Sequence, residues 1–360
     1  MKLSRLDVAP RRVPLTTPYR IAGRTFDTAE IIFVALVDET GLAGYGAASP
    51  VAPLTGDDYD GAARALEGPA RAALVGSDVS DLDAAVGRAR AACGPARSAL
   101  ASLDIALHDL RAKRLGLPLS EMLGGRRRRL FTSVTVGIDD ATAMVAAARR
   151  HVAGGFTCLK VKIGEDARED IHRLTRIRDA VGPGVTIRVD ANQGYSVASA
   201  LDVARRMDAL SIELFEQPIP AGHAEDLAVV TKASRAPVVA DEAVHVARDL
   251  GPLVRAGAAR GANIKLMKCG GIAEARRIDL ALERAGWRAL VGCMDESRAS
   301  IAAAAHFAAA ARSVDWIDLD GHLDLAEDAY TGGFEIVGGE IVLGDAPGLG
   351  VAGGAFGGPT

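Results

Sequence analysis

The chain has 360 residues, of which 49% are hydrophobic and 24% are charged. At roughly 150 residues per domain, this length fits about two domains or one large barrel. With 40 glycines and 15 prolines, the chain falls well short of a low-complexity composition, which excludes a mainly disordered protein. The formal net charge is −4, and a protein whose main partner is nucleic acid would usually be basic, so that class is disfavoured.

Cysteine usage and apolar runs predict the compartment. The four cysteines lie far apart and form no CxxC pair, which argues against a disulfide scaffold or a zinc site and indicates a reducing compartment. The first residues lead into no apolar signal region. The longest apolar stretches, residues 31–37 and 301–311, are shorter than the roughly 20 residues that span a bilayer. We therefore expect a cytoplasmic protein with no membrane partner.

The element pattern changes three times along the chain. Residues 1 to about 55 have the β-branched composition and turns of β structure, and residues 58–122 have helical spacing. Four consecutive arginines, 126–129, then follow, and in an acidic chain we interpret them as a solvated run at a domain junction. From residue 131 to 320, strand-like and helical segments alternate. Residues 332–343 read as a small hairpin that packs on the N-terminal β region.

The alternating part predicts eight parallel strands with seven intervening helical stretches. The predicted strands are residues 131–136, 157–163, 185–190, 212–216, 238–240, 263–266, 289–291 and 315–319. Helical stretches such as 166–181, 197–210, 272–285 and 299–311 separate them. Eight such strands indicate a closed β/α barrel. An open doubly wound sheet is the alternative, but no GxGxxG or GxxxxGK[ST] motif supports it.

Two lysines share one face of the second predicted strand. A spacing of two residues directs Lys160 and Lys162 to the same side, which in a barrel is the lumen, while Leu159, Val161 and Ile163 alternate with them. Two lysines inside a barrel are costly unless they are paired or used. An exposed pair on an edge strand is the alternative interpretation.

Carboxylates end the next three predicted strands. They are Asp190, Glu216 and Asp241, and three carboxylates from adjacent strands suit a hard divalent cation such as Mg²⁺. Any one of them alone would more often be a helix N-cap. Their occurrence on three strands in succession favours a metal site at the mouth where catalytic residues of such barrels lie.

A third lysine, Lys265, belongs to the sixth strand, across the barrel from the second. A metal that binds a substrate carboxylate as a Lewis acid, flanked by a base on either face, can move the proton on the adjacent carbon. To act as a base near neutral pH, a lysine needs its pKa lowered from about 10.4 to roughly 7–8, which corresponds to about 4 kcal/mol. Repulsion from a second ammonium about 5 Å away supplies about 3 kcal/mol of this. We therefore expect Lys160 to support Lys162 as a catalytic base.

The chain resembles the enolase superfamily, in the muconate-lactonizing subgroup, over nearly its whole length. The motifs are Lys160-Val161-Lys162, Asp190-Ala191-Asn192, Glu216-Gln217-Pro218, Asp241-Glu242 and Lys265. The resemblance implies an α/β fold, a (β/α)7β modified TIM barrel with an α+β capping domain. Residues 1–125 would form the capping domain, 126–322 the barrel, and 323–360 a segment completing the capping domain. It also implies one Mg²⁺ per subunit, and homo-oligomers are common in the family.

Two aspartates of the eighth strand reduce the range of substrates that the sequence suggests. Asp318 and Asp320 share one face, and two carboxylates there suit a substrate ammonium, although capping or turn aspartates are the alternative. This D-x-D resembles that of dipeptide epimerases, where it holds the α-amino group. The resemblance implies that Lys162 and Lys265 exchange the α-proton of the C-terminal residue through a metal-stabilised enolate. The alternatives are an N-succinylamino acid racemase or o-succinylbenzoate synthase, and a non-catalytic barrel that binds amino compounds.

Two residues give opposite indications of the dipeptide side chain. Arg24 matches the arginine that meets the glutamate carboxylate in L-Ala-D/L-Glu epimerases, and bidentate recognition of this kind is selective. Asp295 stands where those enzymes usually have an apolar residue, and an acid there favours a neutral or basic side chain. L-Ala-D/L-Glu is the first choice of substrate, with the two residues opposed unless they pair with each other.

Overall fold

The computed structural model describes residues 1–125 and 129–353. Arg126, Arg127 and Arg128 lie outside the described residues, as do residues 354–360. The prediction of a solvated arginine run therefore concerns mainly residues that the structure does not describe. Only its last member, Arg129, is described, and this residue begins a short strand.

The N-terminal region is a three-stranded antiparallel sheet with helices packed against it. The strands are β1 (Leu3–Ile21), β2 (Arg24–Asp38) and β3 (Ala43–Ala48). The helices are α1 (Ala52–Thr55), α2 (Tyr59–Ala65), α3 (Arg71–Leu74), α4 (Leu82–Cys93), α5 (Arg97–Leu115) and α6 (Leu119–Met122), with a π-helical turn (Leu66–Ala70) between α2 and α3. In β3, a side chain at Gly44 or Gly46 would collide with the backbone of α5, so these glycines allow the helix to pack directly on the sheet.

Eight parallel strands form the barrel in sequence order. They are β5 (Val134–Val136), β6 (Cys158–Lys162), β7 (Thr186–Asp190), β8 (Ile212–Glu216), β9 (Val238–Ala240), β10 (Gly261–Ile264), β11 (Arg288–Gly292) and β12 (Val314–Asp318). The first and last strands meet through backbone and side-chain hydrogen bonds, from Ser133 N to the Ile317 carbonyl (3.1 Å) and from Leu319 N to Thr132 Oγ1 (2.7 Å). The predicted eight-stranded barrel is confirmed.

Helices cover the outside of the barrel between its strands. They are α7 (Ala141–Ala153), α8 (Ala167–Val181), α9 (Val197–Met207), α10 (Ala224–Ala233), α11 (Leu250–Ala256), α12 (Leu266–Cys269), α13 (Ile272–Ala285) and α14 (Arg298–Ala310). Because α12 and α13 both follow β10, these helices make seven strand–helix units before the eighth strand, which gives the (β/α)7β arrangement. Most predicted strand ends differ from the observed ends by one or two residues, and in two places the element itself differs. The first predicted strand, residues 131–136, is divided between two strands, because β4 (Arg129–Phe131) lies outside the barrel and only β5 belongs to it. Leu266, predicted to end the sixth strand, instead begins helix α12.

The C-terminal segment crosses from the barrel to the N-terminal sheet. A hairpin of β14 (Phe334–Val337) and β15 (Glu340–Leu343) forms as predicted, but β15 pairs with β4 and not with the N-terminal sheet. The segment contacts that sheet instead through backbone hydrogen bonds of Asp324 and Ala326 with β1, and through Tyr330 in β13 (Tyr330–Gly332). Strand β13 pairs with β16 (Val351–Gly353). The Tyr330 hydroxyl donates to the carbonyls of Val34 (2.7 Å) and Gly46 (3.0 Å).

Two sequence-based exclusions can be compared with the described residues. The four cysteines are all buried and free. None of the helices in residues 1–125 and 129–353 combines the length with the apolar composition needed to span a membrane.

Candidate active site

The barrel lumen places two lysines beside carboxylates of neighbouring strands. In β6, Leu159 and Val161 are fully buried in the hydrophobic core, so the alternation of the strand directs Lys160 and Lys162 inward. Register then sets their neighbours, because Lys162 pairs with Asp190 of β7, which pairs with Glu216 of β8. One lysine and two carboxylates therefore lie at one level of three adjacent strands. The alternative of an exposed edge pair is wrong.

Both lysines contact the carboxylates directly. Lys162 Nζ lies 2.8 Å from Asp190 Oδ2, and Lys160 Nζ lies 3.1 Å from the same oxygen. Lys160 also lies 2.8 Å from Glu216 Oε2, while the other oxygen of Glu216 accepts a 2.7 Å hydrogen bond from Asn263 Nδ2. The Asn192 side-chain oxygen accepts a weaker bond of 3.2 Å from Lys162. These contacts fix the orientation of the first two predicted metal ligands.

The third carboxylate has its own pair of lysines. Asp241 Oδ2 lies 2.9 Å from Lys265 Nζ, and Asp241 Oδ1 lies 2.5 Å from Lys268 Nζ. Lys265 comes from the loop directly after β10, opposite β6 in the barrel. Lys268 is 1% exposed and also donates a 3.0 Å hydrogen bond to the Asn263 carbonyl. It therefore holds Asp241 from within the protein, while Lys265 contacts Asp241 from the cavity side.

Residues that follow the strands adopt strained backbone conformations. Asn192, Gln193 and Gln217 have positive φ angles (40°, 69° and 29°), which cost energy for residues other than glycine. At Gln217 the strain has a visible use. Its side-chain oxygen accepts hydrogen bonds from the backbone of Asp241 (2.9 Å) and Ala243 (3.3 Å), which joins the end of β8 to the end of β9.

The buried charges perturb one another in a consistent way. Burial opposes ionisation of Asp190 and Asp241, but the adjacent lysines outweigh it and hold both pKa values well below the ordinary range. The pKa of Glu216 is raised, because burial and the Asp190 charge outweigh Lys160. Burial works to lower the pKa of Lys265, yet Asp241 and the other carboxylates raise it. The site is therefore a dense cluster of alternating charges.

Lys160 has three anionic neighbours that the sequence did not predict as its partners. The sequence predicts that the Lys160 ammonium supports Lys162 as a base, and in the structure this ammonium contacts three carboxylates, those of Asp190, Glu216 and Asp318. Burial works to lower the pKa of Lys160, but these three anions raise it well above its ordinary value. Lys160 thus acts first as the counter-ion of the carboxylate cluster.

The three carboxylates and their neighbours form a donor set whose chemistry can be compared with the needs of a divalent cation. Among the described residues, no three Asp, Glu, His or Cys side chains stand in metal-binding geometry, and lysine ammonium groups contact all three proposed ligands. Three carboxylate oxygens in the described part of the chain, Glu216 Oε2, Asp241 Oδ2 and Glu242 Oε2, are buried without a well-aligned hydrogen bond. The first two lie 2.8 Å and 2.9 Å from a lysine ammonium. Buried oxygens balanced solely by charge suit a hard cation. The residues therefore fit Mg²⁺ in chemistry.

The two aspartates at the end of β12 have different surroundings. Asp318 accepts 2.7 Å and 2.8 Å bonds from Ser133 Oγ and Lys160 Nζ, and Asp320 accepts a 2.7 Å bond from Thr135 N. Lys160 lowers the pKa of Asp318 against the effect of burial. Burial and the Asp318 charge raise the pKa of Asp320 to about 6. A cation beside Asp320 would relieve this repulsion.

Arg24 and Asp295 do not pair in the described structure. Arg24 lies over the Phe26 ring, 4.5 Å from its centroid, in the hairpin of β1 and β2. Both Asp295 oxygens instead accept hydrogen bonds from the Tyr19 hydroxyl, at 3.1 Å and 3.0 Å. Burial raises the pKa of Asp295 to about 6 against the Tyr19 bond. The hairpin tip thus contacts the barrel mouth through Tyr19.

Two adjoining cavities open onto this cluster. The first, which we call the lysine cavity, has a volume of about 390 Å³ and is lined by Lys162, Lys265, Asn192 and Arg24 among others. The second, which we call the aspartate cavity, has a volume of about 590 Å³ and is lined by Lys160, Lys162, Asp318, Asp320 and Asp324 among others. Tyr19, Lys162, Cys293, Met294 and Asp295 line both. Such volumes suit a small molecule.

Several residues of the site were not predicted as functional. They are Tyr19, Ser133, Asn263 and Lys268, which respectively orient Asp295, Asp318, Glu216 and Asp241. For Asn263 and Lys268 a signal existed, because they are the other two polar residues of the segment 263–268 that contains Lys265. Tyr19 gave none, since it is 276 residues from its partner.

Comparison with known proteins adds independent findings. Residues 143–353 match the model of the enolase C-terminal domain-like family, and residues 5–124 match the N-terminal domain of mandelate racemase and muconate lactonizing enzyme. An L-Lys-D/L-Arg epimerase of Methylococcus capsulatus is 42% identical, over 98% of this chain and 99% of that protein. An L-Ala-D/L-Glu epimerase of Bacillus subtilis is 38% identical, over 99% of this chain and 98% of that protein.

A solved structure has the same overall fold. It is that of a dipeptide epimerase from Methylococcus capsulatus complexed with Mg and the dipeptide L-Arg-D-Lys. The TM-score is 0.93 at 42% sequence identity, and the match covers 98% of this chain and 99% of that one.

Proposed function

The chain belongs to the mandelate racemase and muconate lactonizing enzyme family of the enolase superfamily, and from this premise we propose that it is a Mg²⁺-dependent dipeptide epimerase. It would act as an isomerase that inverts the α carbon of the C-terminal residue. The relatives described above carry the names of dipeptide epimerases, and one was solved with Mg and a dipeptide. The domain arrangement implied by the family, a capping domain completed by the C-terminal segment, belongs to this proposal.

One observation carries the proposal: Lys162 and Lys265 line the same cavity from opposite sides of the barrel. Inversion at a carbon requires that a proton leave on one face and return on the other. Two lysines that approach one cavity from opposed strands supply a base and an acid for these two steps. Each is also held beside a carboxylate, Asp190 or Asp241, which orients its ammonium group.

Asp190, Glu216 and Asp241 would hold the Mg²⁺ ion. When bound there, such a cation supplies Lewis-acid stabilisation of charge that develops on the substrate carboxylate. It would also balance the three carboxylates, which now raise the pKa of Lys160 and Lys265. The chain's own contribution is to fix the ligands, through Asn263 on Glu216 and Lys268 on Asp241.

Asp318 and Asp320 would bind the α-ammonium of the dipeptide. Both line the aspartate cavity, next to Lys162, so an ammonium held there leaves the following peptide unit pointing toward the lysine pair. This separation of ammonium site and proton-transfer site favours a dipeptide over an N-succinylamino acid or a succinylbenzoate, which carry no ammonium. The opposed lysines likewise disfavour a barrel that only binds amino compounds.

Arg24 favours a glutamate as the second residue of the dipeptide. It lines the lysine cavity, where the side chain at the inverted carbon would lie, and a guanidinium pairs well with a carboxylate. L-Ala-D/L-Glu is therefore the first candidate substrate. Asp295 favours a second candidate, a dipeptide with a cationic side chain, because its carboxylate lines both cavities.

Proton exchange in D₂O tests the proposal. The enzyme with Mg²⁺ would be followed by ¹H NMR with L-Ala-L-Glu, L-Ala-L-Lys, L-Ala-L-Phe and N-succinyl-Phe. We expect loss of the C-terminal α-proton signal together with growth of a new diastereomer for at least one dipeptide. Exchange with N-succinyl-Phe alone would identify an acylamino acid racemase, and no exchange with any compound would refute the proposal.

A further inference from the structure

The two cavities carry opposite charge, and this assigns opposite side-chain preferences to the two residues of the substrate. We propose that Asp295 and Asp324 select a cationic side chain on the first residue of the dipeptide, while Arg24 selects an acidic one on the second. The inference rests on the proposed dipeptide epimerase function. It names the substrate class as Lys or Arg followed by Glu or Asp.

The lining of the cavities assigns each residue of the dipeptide to one of them. The lysine cavity is lined by Lys162 and Lys265, so it surrounds the carbon where the proton is exchanged. The aspartate cavity is lined by Asp318 and Asp320, the proposed ammonium site, and Lys265 is not part of its lining. The first residue therefore lies in the aspartate cavity and the second in the lysine cavity.

The aspartate cavity has acids beyond those that the substrate ammonium uses. Asp139, Asp295 and Asp324 line it in addition to Asp318 and Asp320. Among the described residues these three carboxylates form no ion pair, whereas Asp318 is paired with Lys160. A substrate ammonium at the β12 pair would leave them to act on the side chain of the first residue.

The cations of the same cavity are mostly engaged elsewhere. Lys160 and Lys162 contact carboxylates of the barrel, and Arg20 pairs with Glu165 at 3.4 Å. Burial lowers the pKa of His151, so this side chain is neutral near pH 7. Arg150 is the remaining cation, and it is exposed on α7. The balance of charge available to a side chain in this cavity is therefore negative.

Asp295 is held in an orientation suited to a ligand contact. Its two oxygens accept bonds from one hydroxyl, that of Tyr19, so the carboxylate is fixed on the wall common to the two cavities. The Asp324 charge acts on Asp295 and works to raise its pKa, as burial does. Two carboxylates that line one cavity and repel each other favour a cation in that cavity. A lysine or arginine side chain would supply that charge.

Arg24 acts on the other residue. It lines the lysine cavity and not the aspartate cavity, and its guanidinium stacks on Phe26. The opposed indications of Arg24 and Asp295 thus concern different side chains of one substrate. A dipeptide with lysine first and glutamate second satisfies both charges.

A pair of isomeric dipeptides tests the assignment. L-Lys-L-Glu and L-Glu-L-Lys have the same composition and the same net charge, so only the order of residues differs. We expect kcat/KM for L-Lys-L-Glu to exceed that for L-Ala-L-Glu by about tenfold, which corresponds to about 1.4 kcal/mol. We expect L-Glu-L-Lys to be the poorest of the three. Equal values for the two isomers, or a preference for L-Ala-L-Glu over L-Lys-L-Glu, would overturn the inference while leaving epimerase chemistry in place.

Charge-neutral variants identify the residues responsible. Asp324→Asn should reduce the ratio of kcat/KM for L-Lys-L-Glu to that for L-Ala-L-Glu toward one, and Asp295→Asn should act in the same direction. Glu225→Gln, on the outer helix α10, removes the same charge outside both cavities and should keep the ratio. An unchanged ratio in both aspartate variants would contradict the assignment. Absence of exchange with every dipeptide in the unmodified enzyme would instead refute the proposed function itself.

Discussion

The Lys160 ammonium donates a 2.8 Å hydrogen bond to the Asp318 carboxylate, and it thereby joins the second strand of the barrel to the eighth. The same ammonium contacts Asp190 and Glu216, so one lysine balances three buried anions. Removal of one partner from a buried ion cluster leaves uncompensated charge, which typically costs about 3–5 kcal/mol. The proposed ammonium site and the proposed metal site are thus coupled through Lys160.

Lys160→Met should therefore lower the free energy of unfolding by several kcal/mol, on the order of the 3–5 kcal/mol expected for a broken buried pair. Urea-induced unfolding of the two proteins without Mg²⁺ measures this difference. Added Mg²⁺ should recover part of the loss, because it balances the same carboxylates. Lys232→Met, on the exposed face of α10, is the matched control and should change stability by less than about 0.5 kcal/mol. A stable Lys160→Met protein that does not respond to Mg²⁺ would contradict this view of Lys160.

Metal binding can be measured without reference to activity. A ligand that binds only the folded state stabilises it by about 2.7 kcal/mol at a hundred times its dissociation constant. The unfolding midpoint should therefore rise with Mg²⁺ concentration. Glu216→Gln should weaken this rise strongly, because it removes the charge of one of the three proposed ligands. Glu213→Gln lies on the same strand but pairs with Arg188, so it should retain the response. Equal responses in the two variants would argue against Glu216 as a ligand.

Lys265→Ala should abolish epimerisation. General acid–base catalysis typically contributes 10²–10⁴-fold to a rate, and inversion needs a group on each face of the carbon, so we expect a loss of at least about 10²-fold. The growth of the second diastereomer in D₂O, followed by ¹H NMR, gives the rate. Lys232→Ala serves as the control for a lysine outside the barrel. Epimerisation that persists in Lys265→Ala would rule out the two-lysine scheme.

The arrangement of the strand ends could be predicted because it depends on local rules. Alternation along β6 sends Lys160 and Lys162 inward, and the carboxyl ends of parallel strands meet at one mouth, where Asp190 and Glu216 stand in register. Charge partners at long range followed no such rule. Lys160 and Asp318 are 158 residues apart, and nothing in the sequence indicated that they would form an ion pair.

In the capping region, too, contacts between distant segments could not be predicted from the sequence. Strand composition predicted a hairpin near the C-terminus, and the hairpin forms, but nothing in its residues showed that β15 would pair with β4. Likewise, Tyr19 and Asp295 each fit several environments, and only the folded hairpin of β1 and β2 brings them together. Pairing between distant segments depends on the whole fold, and it defines the walls of both cavities.

The pH dependence of kcat/KM should report Asp320. Burial and Asp318 raise the pKa of Asp320 from its ordinary 3.8 to about 6, so its charge is lost as the pH falls through about 6. Substrate ammonium binding needs that charge, and kcat/KM for L-Ala-L-Glu should decrease below pH 6. The effect on stability has the opposite sign. A raised acid pKa stabilises the folded state fully below pH 3.8, and this contribution is lost as the pH rises through about 6, so protonation of Asp320 itself does not unfold the protein.

Two variants separate Asp320 from its neighbour in this pH profile. Asp320→Asn should lower kcat/KM at all pH values and remove the decrease below pH 6. Asp295 also has a pKa of about 6, so Asp295→Asn is a matched control that should keep the decrease. If the two variants give the same profile, the assignment to Asp320 is wrong.

Arg24→Met should change substrate preference more than catalysis. The guanidinium lines the lysine cavity beside Lys162 and Lys265, and methionine retains an apolar chain that can pack on Phe26. A charge-assisted hydrogen bond contributes about 1.5–3 kcal/mol, so kcat/KM for L-Ala-L-Glu should fall by roughly 10- to 100-fold. For L-Ala-L-Phe, which has no side-chain charge, the value should stay within about threefold, because no ion pair is lost. Arg11→Met, on the exposed part of β1, is the control for loss of a hairpin arginine. Equal losses for both dipeptides would mean that Arg24 supports the hairpin and does not read the second side chain, and glutamate would then lose its support as the second residue.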